Sequence, residues 1–269
     1  MEASRTRLVD YRVQNGVAIV ELNNPPMNCF TFEMMHELDE AILRARFDES
    51  VHVLVLRGAG DRVFCAGGDI RMLHAVTPGF RYALLLHASE TLNRLEHTPK
   101  LVIAALNGHT VGGGLEIALA ADLRIARHGA GRIGLPEVKL GLIPGIGGTR
   151  RLTQLVGKSR AIELMTTGDL LSFEEAQRLG VVNHVWEAAS TGEFMEKILR
   201  HAESFCPPGR ASKAVGYAKR AAQSGGEASP EFAQALEREL EQLLFATHDA
   251  REGMDAYLGK RPASFEGRI

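Results

Sequence analysis

Apolar and polar positions along this chain change period several times, and the changes mark its elements. Val13 through Gly16-Val17-Ala18-Ile19-Val20-Glu21-Leu22 reads as a hairpin, closed by Asn23-Asn24-Pro25-Pro26. Met35, Leu38, Ile42 and Leu43 then recur at helical spacing, which predicts a helix over 32–46. Val51-His52-Val53-Leu54-Val55-Leu56 is an almost unbroken apolar run ending in Arg57-Gly58, the pattern of a buried strand with a glycine turn. A second helix is predicted over 80–96, followed by the apolar strand Leu101-Val102-Ile103-Ala104-Ala105-Leu106. Strands alternating with helices give an α/β fold.

The later pattern is helical. Ser172-Phe173-Glu174-Glu175 is a capping box, and the short helix it opens stops at Gly180. Residues 181–186 read as a closing strand. Ser229-Pro230 opens a long helix with Phe232, Leu236, Leu240 and Leu243 on one face. The change near residue 190 divides the chain into a mixed core, 1–190, and a helical region, 191–269. The second part is expected to pack on the core or on neighbouring subunits. No internal repeat or low-complexity linker is visible.

Composition narrows the function classes. With 269 residues, 45% hydrophobic and 24% charged, the chain can bury one large core. A formal net charge of −2 gives no global attraction to nucleic acid or to an acidic membrane. Cys29, Cys65 and Cys206 match no metal or redox spacing, and the ten histidines include no pair three or four apart, so no metal site is expected. No stretch approaches the roughly 20 apolar residues of a membrane span, and residues 1–7 lack the apolar run of a secretory signal. The expectation is a soluble, cytoplasmic protein with no nucleic-acid or membrane partner.

Candidate chemistry centres on Gly112-Gly113-Gly114-Leu115-Glu116, between the strand at 101–106 and the helix-like run Ile117-Ala118-Leu119-Ala120-Ala121. Glycine leaves backbone amides uncovered at a helix start, where the dipole reinforces them, a setting suited to a developing oxyanion. Glu116 returns to the same face one helical turn later. A dinucleotide fingerprint would need glycine where Ile117 stands, and a phosphate loop built on Gly157-Lys158-Ser159 would need one where Leu152 stands. Taken alone, the triple glycine leaves an oxyanion hole and a packing turn both open. A second glycine turn, Phe64-Cys65-Ala66-Gly67-Gly68-Asp69-Ile70, has the same design, and a second carboxylate follows in Gly134-Leu135-Pro136-Glu137. Asp69 suits a helix start better than catalysis. His109 is a lone histidine in a turn, and Cys65 has no identifiable base beside it.

These two turns, Pro136-Glu137, and Leu142-Ile143-Pro144-Gly145-Ile146-Gly147-Gly148-Thr149-Arg150 together resemble the crotonase (enoyl-CoA hydratase/isomerase) superfamily, over nearly the whole chain. Phe245-Ala246-Thr247, Asp249, Arg251-Glu252-Gly253-Met254 and Lys260-Arg261 look like that family's C-terminal signature. The resemblance implies a crotonase-like spiral of ββα units with a C-terminal helical trimerisation region, assembled as a trimer or a dimer of trimers. It implies oxyanion-hole amides at Gly68 and Gly113, catalytic glutamates at Glu116 and Glu137, and a water-positioning amide at Gly145. Coenzyme A would run along Ala66, Gly68, Asp69, Ile70 and Arg71, with Lys260 meeting its phosphates. Met72, Leu73 and the segment 81–92 would shape the acyl pocket. No separate cofactor is expected, because coenzyme A is the substrate's own handle. An isomerase, a carrier-protein-linked dehydratase, or a CoA- or RNA-binding scaffold on the same fold are the alternatives to a hydratase.

Overall fold

The computed structural model describes residues 7–267. The chain enters as an antiparallel hairpin of β1 (Val9–Gln14) and β2 (Val17–Leu22), turning at Asn15-Gly16 with both residues at positive φ. Such a two-residue turn matches the twist of its strands. Helix α1 (Phe32–Phe47) follows, capped by Thr31, whose hydroxyl accepts the Met34 N–H.

Three windings come next, each with two strands before a helix. Strands β3 (Val53–Gly58) and β4 (Val63–Cys65) lead to α2 (Ile70–Ala75) and α3 (Pro78–Glu96). Strands β5 (Leu101–Leu106) and β6 (His109–Val111) lead to α4 (Gly113–Leu119). Strands β7 (Leu123–Arg127) and β8 (Arg132–Gly134) lead through a 3-10 turn, Glu137–Leu140, to α5 (Gly148–Val156) and α6 (Lys158–Thr167). The spiral closes with β9 (Leu171–Ser172), α7 (Phe173–Arg178) and β10 (His184–Trp186). The capping box at Ser172 and Glu175 is complete in both directions. In each winding the first strand joins a six-stranded sheet, β1-β2-β3-β5-β7-β10, and the second a four-stranded sheet, β4-β6-β8-β9. This is the expected α/β spiral of ββα units.

The larger sheet is parallel from β2 onward and covered on both faces, which is why its strands read as continuous apolar runs. Ala18, Val20, Leu54, Leu56, Val102 and Ala104 face the core shared with α1, α3 and α4. Their alternates, Val17, Ile19, Val53, Val55 and Ile103, meet α8 (Thr191–Glu203) through Phe194, Met195, Ile198 and Ala202. Helices α9 (Ser212–Gly225), α10 (Pro230–Phe245) and α11 (His248–Leu258) complete the chain. Among the described residues no helix is long and apolar enough to cross a membrane.

Phe194 is fully buried at the centre of the α8 contact. Replacing Phe194 with Ala should cost about 3–5 kcal/mol, read as a lower midpoint in urea denaturation.

Candidate active site

The turns that end successive windings meet in one place. Phe30, just before α1, runs beside the first of them: its N–H donates to the Gly67 carbonyl at 2.9 Å, and its carbonyl accepts the Asp69 N–H at 3.0 Å. The buried Phe30 ring lies 3.3 Å from where a side chain on Gly68 would begin, and a side chain on Gly113 would run into it. A Cβ on Gly67 would stand 3.1 Å from the Gly113 nitrogen, so the two glycine turns pack against each other. Gly113 is the first residue of α4, where helix geometry leaves amides without an acceptor. The N–H groups of Gly68 and Gly113 find no backbone acceptor among the described residues.

Gly112 has φ 58° and ψ −131°, a conformation that costs other residues strain. It also leaves an opening that Glu137 fills: a Cβ on Gly112 would lie 3.1 Å from Glu137 Oε1. The triple glycine thus turns the chain, presents the Gly113 amide and admits a carboxyl.

Glu116, on the first turn of α4, is only 3% exposed. Its Oε1 accepts the Ile146 N–H at 2.9 Å and the Gly148 N–H at 2.7 Å, at the start of α5. Burial pushes this carboxyl above the usual range, while the amides of Gly148, Ile146 and Gly145 and the charge of Arg151 oppose that push. Glu137 opens the 3-10 turn, and its buried Oε2 finds no hydrogen-bond partner among the described residues. Burial, reinforced by the charge of Glu116, pushes its carboxyl up to about 7 against the pull of its own backbone amide. Two buried carboxyls thus lie by the glycine turns, Glu137 against Gly112 and Glu116 on the helix that Gly113 begins, the kinds of group that acid–base and oxyanion chemistry use.

The remaining expected residues spread outward. The Ala66 N–H donates to Met27 O at 3.1 Å, and Asp69 caps α2 by accepting the Met72 N–H at 3.0 Å, a helix-start role. Ile70, 52% exposed, and Arg71 lie on the outer first turn of α2. Gly145 is exposed next to Ile146, with the Leu85 side chain of α3 at 3.5 Å from its Cβ position. Lys260 is exposed beyond α11, and no hydrogen bond or ion pair ties its side chain to this cluster among the described residues. His109 Nδ1 accepts the Arg132 N–H at 3.1 Å, a turn contact. Cys65 is buried and its thiol is pushed up to about 12 by burial, far from a thiolate's range.

Sequence reading missed Phe30, Ile146 and Gly148. The last two carry a usable signal, because Pro144-Gly145-Ile146-Gly147-Gly148 is a glycine-rich helix start like that at Gly112. Phe30 carries none; it is an isolated aromatic whose neighbours become known only from the fold.

Residues 12–268 match the family model for enoyl-CoA hydratase/isomerase. The chain belongs to the enoyl-CoA hydratase/isomerase family. It is 35% identical over 253 residues to a crotonyl-CoA hydratase of Syntrophomonas wolfei, covering 94% of this chain and 95% of that one. A short-chain-enoyl-CoA hydratase of Clostridium acetobutylicum is 36% identical over 92% of this chain and 93% of its own length. A crystal structure of an enoyl-CoA hydratase from Geobacillus kaustophilus superposes with a TM-score of 0.92 at 38% identity, covering 98% of both chains. The protein is therefore an enzyme of the enoyl-CoA hydratase/isomerase family with the crotonase fold.

Gly112 combines a positive φ with close contact to Glu137. Gly112→Ala should lose about 1–3 kcal/mol of stability from backbone strain, measured by thermal or urea denaturation, with activity lost as Glu137 is displaced.

Proposed function

We propose that this enzyme is an enoyl-CoA hydratase, adding water reversibly across the 2,3 double bond of a 2-enoyl-CoA thioester. One observation carries the reading: two buried carboxyls lie by the glycine turns of Gly68 and Gly113, Glu137 against Gly112 and Glu116 on the first turn of α4, held by the Ile146 and Gly148 amides. Similarity over nearly the whole chain to a crotonyl-CoA hydratase and a short-chain-enoyl-CoA hydratase supports a short acyl chain.

Water adds to C3 only if charge can move to the thioester oxygen. The Gly68 and Gly113 amides would hold that oxygen, and loss of one such donor typically costs about 3–4 kcal/mol of barrier. Glu116 in its deprotonated form, held by two amides, takes a proton from water as the C3–O bond forms, with the Gly145 amide orienting that water. Glu137 gives its proton to C2 as the enolate collapses, and the pair then re-equilibrates its protons. Dehydration runs the same steps backward, with the carboxyls exchanging roles. Ala66, Asp69, Ile70 and Arg71 would follow the coenzyme A, and Lys260 would meet its phosphates. Exposed Phe232, Leu243, Phe245, Met254, Tyr257 and Leu258 on α10 and α11 support an assembly of copies through the helical region.

Glu116→Gln and Glu137→Gln should each lower crotonyl-CoA hydration about 100- to 10,000-fold while leaving assembly and CoA binding intact, followed as loss of the conjugated thioester absorbance. Unchanged turnover in both would sink the site. Conversion of a 3-enoyl-CoA to the 2-enoyl form without hydration would make the enzyme an isomerase, and turnover confined to acyl-carrier-protein thioesters would make it a dehydratase of that handle.

Hydration needs Glu116 deprotonated and Glu137 protonated. Its rate should therefore fall on the acid side as Glu116 takes up a proton, and on the basic side as pH rises through about 7, where Glu137 loses its own. The two limbs belong to a coupled pair. Glu137→Gln should abolish the basic limb of the residual activity; a basic limb that persists would remove Glu137 from the acid role.

A further inference from the structure

The peptide that supports Glu116 is itself held on its other side. While the Ile146 N–H donates to Glu116 at 2.9 Å, the Ile146 carbonyl accepts from Arg151 Nη1 at 3.0 Å. The Arg151 side chain is 2% exposed, and its remaining donors are used on α3. Nε and Nη2 reach Glu96 Oε2 at 3.1 and 2.8 Å, and Nη2 reaches Asn93 Oδ1 at 2.8 Å. Glu96 is anchored in turn by Arg150 at 2.6 Å and by Gln223 of α9 at 2.9 Å. A side chain on Gly147, at φ 107°, would run into the Arg151 guanidinium, so the loop is built around that group.

We propose that Arg151 is a positioning residue: locked to Glu96 and Asn93 of α3, it fixes the Ile146 peptide so that the Ile146 and Gly148 amides stay aimed at Glu116. Arginine suits this task because its planar fork directs donors to several acceptors at once, which a lysine cannot do. Its charge also opposes the effect of burial on Glu116. The other charged groups along this path are Glu137 from the 3-10 turn, Glu96 from α3, Arg150 from α5, and Lys219 and Glu227 from α9 and the segment after it. A cavity of about 510 Å³ between α4, α5 and α9 adjoins the Arg151–Glu96 pair, so the anchor stands at the junction of the spiral with the C-terminal helices. The kinetic part of this inference rests on the hydratase reading; the support of the Glu116 carboxylate does not.

Arg151→Gln should lower kcat for crotonyl-CoA hydration about 10- to 100-fold, as expected for a small displacement of a reacting group, with KM within about twofold because no substrate contact is removed. The acid limb of its pH profile should move to higher pH, and Arg151→Lys, which keeps the charge but not the fork, should restore the limb more fully than kcat. A folded Arg151→Gln protein with unchanged kcat, or with lower kcat and the acid limb in place, overturns the proposal. Should that variant not fold, Asn93→Ala leaves the buried ion pair intact and should show a smaller fall in kcat at constant KM; no fall overturns it. Infrared difference titration of the Glu116 carboxyl, with Glu116→Gln as the blank, reads the same effect without turnover: the carboxyl should take up its proton at higher pH in Arg151→Gln, and an unmoved titration rejects the role. A protein that hydrates no enoyl-CoA yet shows this shift would refute the activity and keep the positioning.

Discussion

A buried carboxylate needs compensation close at hand, and Glu116 receives it from backbone at the start of α5. Removing a carboxylate from water costs several kcal/mol even after relaxation. Two amides at a helix N-terminus offset that cost without a counter-ion that would compete for substrate or water. The arrangement draws α5 against α4 so closely that a Cβ on Gly148 would lie 2.7 Å from Glu116 Cγ. The glycines of the segment 145–148 and the docking of α5 both serve this contact.

Glu137 stands in different surroundings, against the Gly112 turn. One of its carboxyl oxygens is buried without a partner, and burial carries its pKa to about 7. Glu116 is pushed upward too, but amides and the Arg151 charge work against the push. Two residues of the same type thereby sit in different surroundings, one carboxyl held by backbone amides and the other set against a glycine turn.

Much of this was legible in the residues, and what was not has a physical reason. The strand at 101–106 emerges within its predicted bounds because both faces of the sheet are covered, so no polar residue interrupts it. The helix expected over 80–96 begins instead at Pro78, where Thr77 caps it and proline suits the first turn. Gly112-Gly113-Gly114 announced a strand-to-helix turn, but not that Phe30 would pack on both glycine turns. That contact joins segments distant in sequence, and no local period records it. The Ile146 and Gly148 amides escaped notice because a backbone donor has no residue type. Arg151 was hidden differently, since a basic residue in a helix reads as a surface charge until its carboxylate partner on α3 is known. The resemblance identified positions, whereas the conformations at those positions came from packing.

The spiral also governs when a site of this kind comes into being. Gly68, Gly113, Glu137 and the Ile146 loop each end or follow a different strand of the smaller sheet, or the turn beyond it. None of them brings together the two glycine turns and the two carboxyls by itself. During synthesis a chain released only as far as α4 holds two glycine turns but no second carboxyl, and one released as far as Glu137 still lacks the amides that steady Glu116. The cluster around Glu116 is therefore assembled late, when the third winding closes on the second, and a nascent or partly unwound molecule holds its parts without bringing them together.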